Sequence, residues 1–170
     1  GTMPAPQREA QTLTWRSPQG VLALSVLSPE VVRVRFVPRP ELGRDHSYAV
    51  TGRLPGDPGA VFDVKPDRSH VRTSALQVTV KHDPLRVAFA TASGESLDED
   101  DPARGIGFVE ETVRVWKRLR DDEFVYGFGE KTGRLNKRGR NLGGYSYVMW
   151  NSDTYAYGDD TDPIYATFPF

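Results

Sequence analysis

The chain has 170 residues and a mass of 19.0 kDa. This length fits one domain, or one domain with a tail, and excludes a chain of several domains. Its 22 Lys and Arg balance 23 Asp and Glu, which disfavours nucleic acid as a partner, and the lack of cysteine excludes disulfides and thiolate metal sites. No apolar run reaches the roughly 20 residues of a membrane span, so we expect a soluble protein without a membrane partner, and we place it in the cytoplasm.

The first twelve residues carry no strand or helix pattern. Gly1-Thr2-Met3 is interpreted as an expression scar, and the polar stretch that follows lacks the apolar segment of a secretory signal. We therefore predict that residues 1–12 are a scar and a disordered N-terminus. Residues 13–170 are predicted to form the folded domain.

A first hairpin is predicted around a Ser-Pro-Glu turn. An apolar run covers residues 21–27, and in residues 32–36 Arg33 and Arg35 alternate with apolar side chains. Neighbouring strand residues point to opposite faces, so the arginines are expected in solvent and the apolar side chains over a core.

A second hairpin and a further strand follow. Residues 71–81 are predicted to form one long strand, which turns at His82-Asp83-Pro84 into a strand lined by Leu85, Val87 and Phe89. Another strand is predicted over residues 112–119. Prolines fall between these runs, and no long amphipathic helix pattern occurs. Short strands with regular turns predict an antiparallel sandwich or barrel.

The composition changes near residue 108. Of the 18 aromatic residues, 13 lie in residues 108–170, and no Lys or Arg follows Arg140. The last seven residues form an apolar run with no polar exit, and such a patch would be sticky if exposed. We expect a piece cut from a longer protein. A C-terminal strand docked within this domain is the alternative.

The glycine-rich stretch at residues 126–133 does not match a nucleotide site. Glu130 separates the glycine from Lys131, which a phosphate-binding P-loop does not allow, and Thr132 stands where a dinucleotide fingerprint has its third glycine. A tight turn that needs positive φ explains the glycines better. No cofactor is predicted.

Other polar clusters are interpreted as structural. The three histidines are expected at the surface or in turns, and no serine stands out as a nucleophile, so no catalytic residue is assigned. Basic residues are interpreted as a solvated loop and two acidic runs as turns, with no metal predicted. The histidines are His46, His70 and His82. The basic residues are Arg134, Lys137, Arg138 and Arg140. The two acidic runs are residues 98–101 and the group of Asp159, Asp160 and Asp162.

Five short motifs in the last 45 residues resemble, in order and spacing, the N-terminal region of glycoside hydrolase family 31, the α-glucosidase family. They are YGFGEKTG (126–133), RGR (138–140), MWNSD (149–153), YGDDTDPIY (157–165) and FPF (168–170). The resemblance implies a galactose-mutarotase-like β-sandwich with long C-terminal loops, packed on a downstream (β/α)₈ barrel. Residues 141–147 form a longer insertion than the family pattern has.

The resemblance also implies the function. Retaining glycoside hydrolysis uses two carboxyl groups, and in the family both belong to the barrel, so this chain alone is expected to be inactive. Asp153 matches an aspartate that hydrogen-bonds sugar hydroxyls, and Trp150 offers a flat face to an α-glucoside substrate. The alternatives are a turn or cap residue for Asp153 and interdomain packing for Trp150. A free-standing carbohydrate-binding module and a plain interaction domain are the rival functions.

Overall fold

The structure is a computed structural model that describes residues 2–48, 50, 52, 54–138 and 147–168. The chain divides into two compact units, Gly1–Arg118 and Leu119–Phe170. All strands found among the described residues belong to the first unit. Within the residues that the structure describes, no helix is long and apolar enough to cross a membrane.

The first sheet has four antiparallel strands in sequence order. They are β1 (Gln7–Glu9), β2 (Thr12–Ser17), β3 (Gly20–Ser28) and β4 (Val31–Val37). The first predicted hairpin is confirmed, because β3 pairs with β4 from Val21 to Ser28, with one register shift between Val26 and Ser28.

The predicted disorder of residues 1–12 differs from what the structure describes. β1 pairs with β2, Met3 is buried, and the Met3 amide donates to the His82 carbonyl at 2.9 Å. The side chains of β1 are exposed on both faces, so main-chain pairing holds the strand and the sequence shows no alternation.

The second sheet has five antiparallel strands in sequence order. They are β5 (Val61–Val64), β6 (Arg68–Arg72), β7 (Leu76–His82), β8 (Leu85–Thr91) and β9 (Ser96–Glu99). The predicted turn between β7 and β8 is confirmed. A separate two-stranded sheet pairs β10 (Ile106–Val109) with β11 (Thr112–Val115), a shorter strand than predicted.

The single strand predicted over residues 71–81 is wrong. The Thr73 hydroxyl accepts hydrogen bonds from the amides of Ala75 and Leu76, and the resulting turn separates β6 from β7. Val71 before the turn and Val78 after it are seven positions apart, so the two-residue alternation changes phase at the turn, and this change was the available signal for the break.

His82 lies at the end of β7, directly before the turn at residues 83–84, and is buried, so of the predicted surface or turn position the surface alternative is wrong. Its ring nitrogens lie 2.9 Å from the Ser69 hydroxyl and 3.0 Å from the Pro66 carbonyl, and Trp15 packs edge-on against the ring. With both nitrogens paired, a histidine can lie in a core at little cost.

The core lies between the two large sheets, which confirms the antiparallel β-sandwich. Apolar side chains from the facing strands form one cluster: Leu13, Trp15, Leu22, Leu24 and Val26 from the first sheet, and Val71, Val78, Val80, Leu85 and Val87 from the second. Burial of this apolar surface stabilises the first unit.

The second unit consists of turns and loops in its described residues, 119–138 and 147–168. An isolated β-bridge joins Gly129 to Thr167. Among the described residues of this unit, Ile164 is the one buried apolar side chain. Polar contacts must therefore hold much of its shape.

Candidate functional site

Both predicted site residues lie on one exposed loop of the second unit, residues 147–157, which we call the aromatic loop. The Trp150 side chain is 68% exposed, and Tyr155 is 95% exposed. Asp153 is also exposed, and its carboxylate has no hydrogen bond or ion pair among the residues that the structure describes. These groups are available to a ligand.

The backbone of the aromatic loop is tied to residues 161–168, which we call the supporting strip. The Thr167 hydroxyl donates to the Trp150 carbonyl at 3.1 Å, and the Thr167 amide donates to the Asn151 side chain at 2.8 Å. The Ser152 amide donates to the carbonyl of the buried Ile164 at 3.4 Å.

The supporting strip also holds the loop on the far side of Asp153. The Thr154 hydroxyl donates to the Pro163 carbonyl, and the Tyr165 hydroxyl donates to the Thr154 carbonyl, both at 3.2 Å. The backbone is therefore anchored on either side of Asp153 while its side chain stays exposed. Such an arrangement holds a surface group in a defined place.

A buried ion pair lies beneath the aromatic loop. Lys131 Nζ is 2.8 Å from Asp162 Oδ1, and the two side chains are 0% and 11% exposed. The same ammonium donates to the Val148 carbonyl at 2.6 Å and to the Thr167 hydroxyl at 3.3 Å. All three N–H donors of the lysine thus have partners.

The second carboxylate oxygen of Asp162 completes the arrangement. Asp162 Oδ2 accepts the Val148 amide at 2.6 Å, so the ion pair holds both main-chain groups of that residue. Sequence reasoning missed the pair because its members are 31 positions apart. The available signal was that Lys131 lies in the motif YGFGEKTG, between two glycines, and Asp162 lies in the motif YGDDTDPIY.

The glycine-rich turn approaches the supporting strip closely. The Glu130 amide donates to the Ala166 carbonyl at 2.7 Å. Gly129 has φ +86°, and a Cβ there would come within 2.6 Å of that same carbonyl oxygen. The predicted tight turn with positive φ is confirmed.

Two members of the basic cluster bind backbone carbonyls, so the predicted solvated loop is wrong for them. The Lys137 ammonium donates to the carbonyls of Lys131 and Thr132 at 3.2 and 3.0 Å. The Arg138 guanidinium donates to the carbonyls of Arg120, Asp121 and Glu123. Arg134 is exposed, and Arg140 lies outside the described residues, as does most of the insertion at 141–147.

The acidic runs serve the fold. Residues 158–161 form a turn in which the Thr161 amide donates to the Gly158 carbonyl at 3.1 Å. Asp162 belongs to the ion pair with Lys131. Across the described part of the chain, no group of three or more His, Asp or Glu side chains could hold a metal ion.

In the other acidic run, the predicted turn is wrong for Asp98, which lies in β9, and for Asp100, which is buried beside a lysine. It is confirmed at Asp101, whose carboxylate accepts the amides of Ala103 and Arg104. Lys117 Nζ lies 2.7 Å from Asp98 and 2.9 Å from Asp100. Burial of the ammonium lowers the pKa of Lys117, but hydrogen bonds and attraction from the two aspartates outweigh it and raise the pKa above its ordinary value. Asp100 and Lys117 border an apolar cleft of about 350 Å³ in the first unit.

Two sequence comparisons identify similar proteins. The family described as the glycosyl hydrolase 31 N-terminal galactose mutarotase-like domain matches residues 21–170. Alpha-glucosidase 2 of Bacillus thermoamyloliquefaciens is 30% identical over 154 residues, which cover 89% of this chain and 19% of that protein.

Solved structures of longer proteins contain the same fold. A family 31 dextranase of Flavobacterium johnsoniae, complexed with glucose, matches 100% of this chain with a TM-score of 0.84 and 27% identity. An α-xylosidase of Xanthomonas citri matches 79% of this chain with a TM-score of 0.66 and 25% identity. The chain covers 21% and 16% of those two chains, respectively.

Proposed function

The chain belongs to glycosyl hydrolase family 31, as an N-terminal galactose mutarotase-like domain, and from this membership we propose that it supports a downstream catalytic barrel and adds a loop to the rim of its sugar pocket. The observation that carries the proposal is the aromatic loop. Trp150 and Asp153 are exposed on it while the backbone around them is anchored.

The chemistry of the two side chains suits a sugar. A carboxylate such as that of Asp153 accepts hydrogen bonds from two neighbouring hydroxyls, and charge-assisted bonds are stronger than neutral ones. The indole of Trp150 presents a large apolar face that can pack against the C–H groups of a pyranose. The two groups can together hold a sugar ring at a pocket edge without any part in bond cleavage.

The parent enzyme is proposed to cleave α-linked glucosides with retention. The alpha-glucosidase relative supports this substrate class. In this proposal the two reactive carboxyl groups belong to the barrel, and the present domain supplies neither. We also propose that the parent acts in the cytoplasm.

Steady-state kinetics of the full-length parent test this role. With 4-nitrophenyl α-D-glucopyranoside as substrate, Asp153→Asn is expected to raise KM about tenfold or more, because hydrogen bonds to a charged group contribute about 1.5–3 kcal/mol. Asp122→Asn, at an exposed position in the same unit, is the matched control. A KM for the Asp153 variant equal to that of the control would contradict the proposal.

The second candidate is a free-standing carbohydrate-binding module, which the exposure of Trp150 and Tyr155 favours. Calorimetric titration of the 170-residue chain with maltose separates the two functions. Binding by the chain alone supports the module. The pocket-rim proposal expects no heat of binding from the chain alone and clear binding by the full-length protein with its barrel acids neutralised.

A further inference from the structure

The ion pair of Lys131 and Asp162 lies beneath the aromatic loop and not on its surface. The lysine side chain has no exposed area, so it cannot touch a bound sugar. Yet each of its hydrogen bonds ends on the aromatic loop or on the supporting strip. Its effect on a ligand must therefore pass through the backbone that it holds.

Val148 is held at two points. Lys131 donates to its carbonyl, and Asp162 accepts from its amide, both at 2.6 Å. Two hydrogen bonds on one residue restrain both peptide planes beside it, and hence the direction in which the chain continues. That chain reaches Trp150 two residues later and Asp153 three residues after that.

A second connection passes through Thr167. Its hydroxyl accepts from Lys131 and donates to the Trp150 carbonyl, and its amide donates to Asn151. The lysine is thus linked to the Trp150 backbone through one intervening hydroxyl. Such linked hydrogen bonds reinforce one another in a region shielded from water.

We propose that Lys131 is a positioning residue for the rim of the sugar pocket: together with Asp162 it holds the backbone that places Trp150 and Asp153 against the sugar. This inference rests on the proposed function and adds to it the group that sets the geometry of the binding loop. It assigns Lys131 no contact with substrate and no part in proton transfer.

Lysine suits this position for a geometric reason. Its ammonium is a compact charge whose three donors can point in three directions, here to a carbonyl, a carboxylate and a hydroxyl. The guanidinium of arginine is planar and longer, so it can pair with Asp162 but not reach all three partners. Methionine has similar bulk and no donor, and it leaves the Asp162 charge without its partner.

A double-mutant cycle in the full-length parent tests the proposal. The cycle compares the wild type, Lys131→Met, a variant carrying Trp150→Ala with Asp153→Ala, and the combination of all three substitutions. The readout is kcat/KM for 4-nitrophenyl α-D-glucopyranoside, with KM and kcat also reported separately. Coupled residues give non-additive effects, and independent residues give additive ones.

We expect Lys131→Met to lower kcat/KM about tenfold in the wild-type background, mostly through KM, because small displacements of binding groups are costly. In the background without the two loop side chains, the same substitution is expected to change kcat/KM by less than about twofold. An equal loss in both backgrounds overturns the inference, because the lysine then acts on activity by another route.

The other outcomes separate the inference from the proposed function. If Lys131→Met leaves kcat/KM unchanged while the loop variant raises KM, the inference fails and the proposed function stands. If the loop variant itself leaves KM unchanged, the proposed function fails and the inference fails with it.

Two further variants keep the test decisive if Lys131→Met does not fold. Lys131→Arg keeps the charge. It is expected to lower kcat/KM in the wild-type background and to change kcat/KM little in the background of the loop variant, as Lys131→Met does. Lys65→Met removes an exposed ion pair with Asp63 and serves as the matched control. It is expected to leave kcat/KM unchanged, and a loss as large as that of Lys131→Met would overturn the specific role of Lys131.

Discussion

The two units of the chain are stabilised by different interactions. In the first unit, two sheets enclose a continuous apolar cluster around Trp15 and Leu24. In the described part of the second unit, Ile164 is the one buried apolar side chain, and the ion pair of Lys131 and Asp162 joins separate segments. The second unit has exposed aromatic and apolar side chains at Phe124, Tyr126, Met149, Trp150, Tyr155, Tyr157, Tyr165 and Phe168.

This contrast separates folding from recognition. A unit held by a core can vary its surface with little loss of stability, whereas a unit held by a few polar contacts depends on each of them. The polar contacts leave the aromatic side chains of the second unit free to face something else. Patches of exposed aromatic residues are typical of surfaces that contact a ligand or another domain.

The largest expected effect is on the core of the first unit. Trp15→Ala is expected to lower the free energy of unfolding by about 3–5 kcal/mol, because it removes a fully buried indole and leaves a cavity. Urea denaturation followed by circular dichroism measures the change. Trp150→Ala is the matched control, and a similar loss from both variants would contradict the contrast between the units.

The next effect is on the ion pair of the second unit. Lys131→Met is expected to lower the free energy of unfolding of the second unit by about 3 kcal/mol, since it leaves the buried Asp162 carboxylate without its counter-charge. The loss should be local: in hydrogen exchange, the amides of Val148 and Thr167 lose protection while those of β3 and β7 do not. Equal loss in both units would show that they unfold together.

Close backbone approach gives a smaller effect in the same unit. Gly129→Ala is expected to lower the free energy of unfolding by about 1–3 kcal/mol, because the new Cβ meets the Ala166 carbonyl oxygen and the φ of residue 129 is positive. Gly158→Ala is the control, since a Cβ there has open space. Thermal melting of both variants measures the difference, and the prediction fails if the two melting temperatures coincide.

The smallest effect depends on pH and belongs to the first unit. The pKa of Lys117 lies above its ordinary value of 10.5, so its contribution is present below that pH and is lost as pH rises through the folded-state pKa. Because the side chain is 39% exposed, solvent screening limits the contribution to at most about 1 kcal/mol.

Unfolding of the wild type and of Lys117→Met from pH 9 to pH 12 tests this titration. The stability difference between them should shrink as pH rises through this range. A difference that is constant with pH would contradict a role for the charge.

Much of the first unit could be predicted from alternation alone. The β3–β4 hairpin and the turn between β7 and β8 follow from the spacing of apolar residues and prolines. The break between β6 and β7 was missed because Thr73 makes it through a side-chain hydrogen bond, although the seven positions between Val71 and Val78 shift the two-residue alternation there. β1 was missed because it is polar on both faces.

The candidate site was less accessible to sequence reasoning. Trp150 and Asp153 were predicted only through the resemblance to a family, since no local pattern distinguishes an exposed binding residue from an exposed turn residue. The pairing of Lys131 with Asp162 joins residues far apart in the chain. Such a contact depends on the path of two loops, and neither strand nor helix periodicity describes a loop.

In the proposed function, the aromatic loop lies against another part of a longer enzyme. Hydrogen exchange of the 170-residue chain and of the full-length parent tests it most directly. We expect the amides of residues 150–157 to exchange markedly more slowly in the full-length protein, while those of β3 and β7 exchange equally in both. Equal exchange of residues 150–157 in the two proteins would contradict the claim.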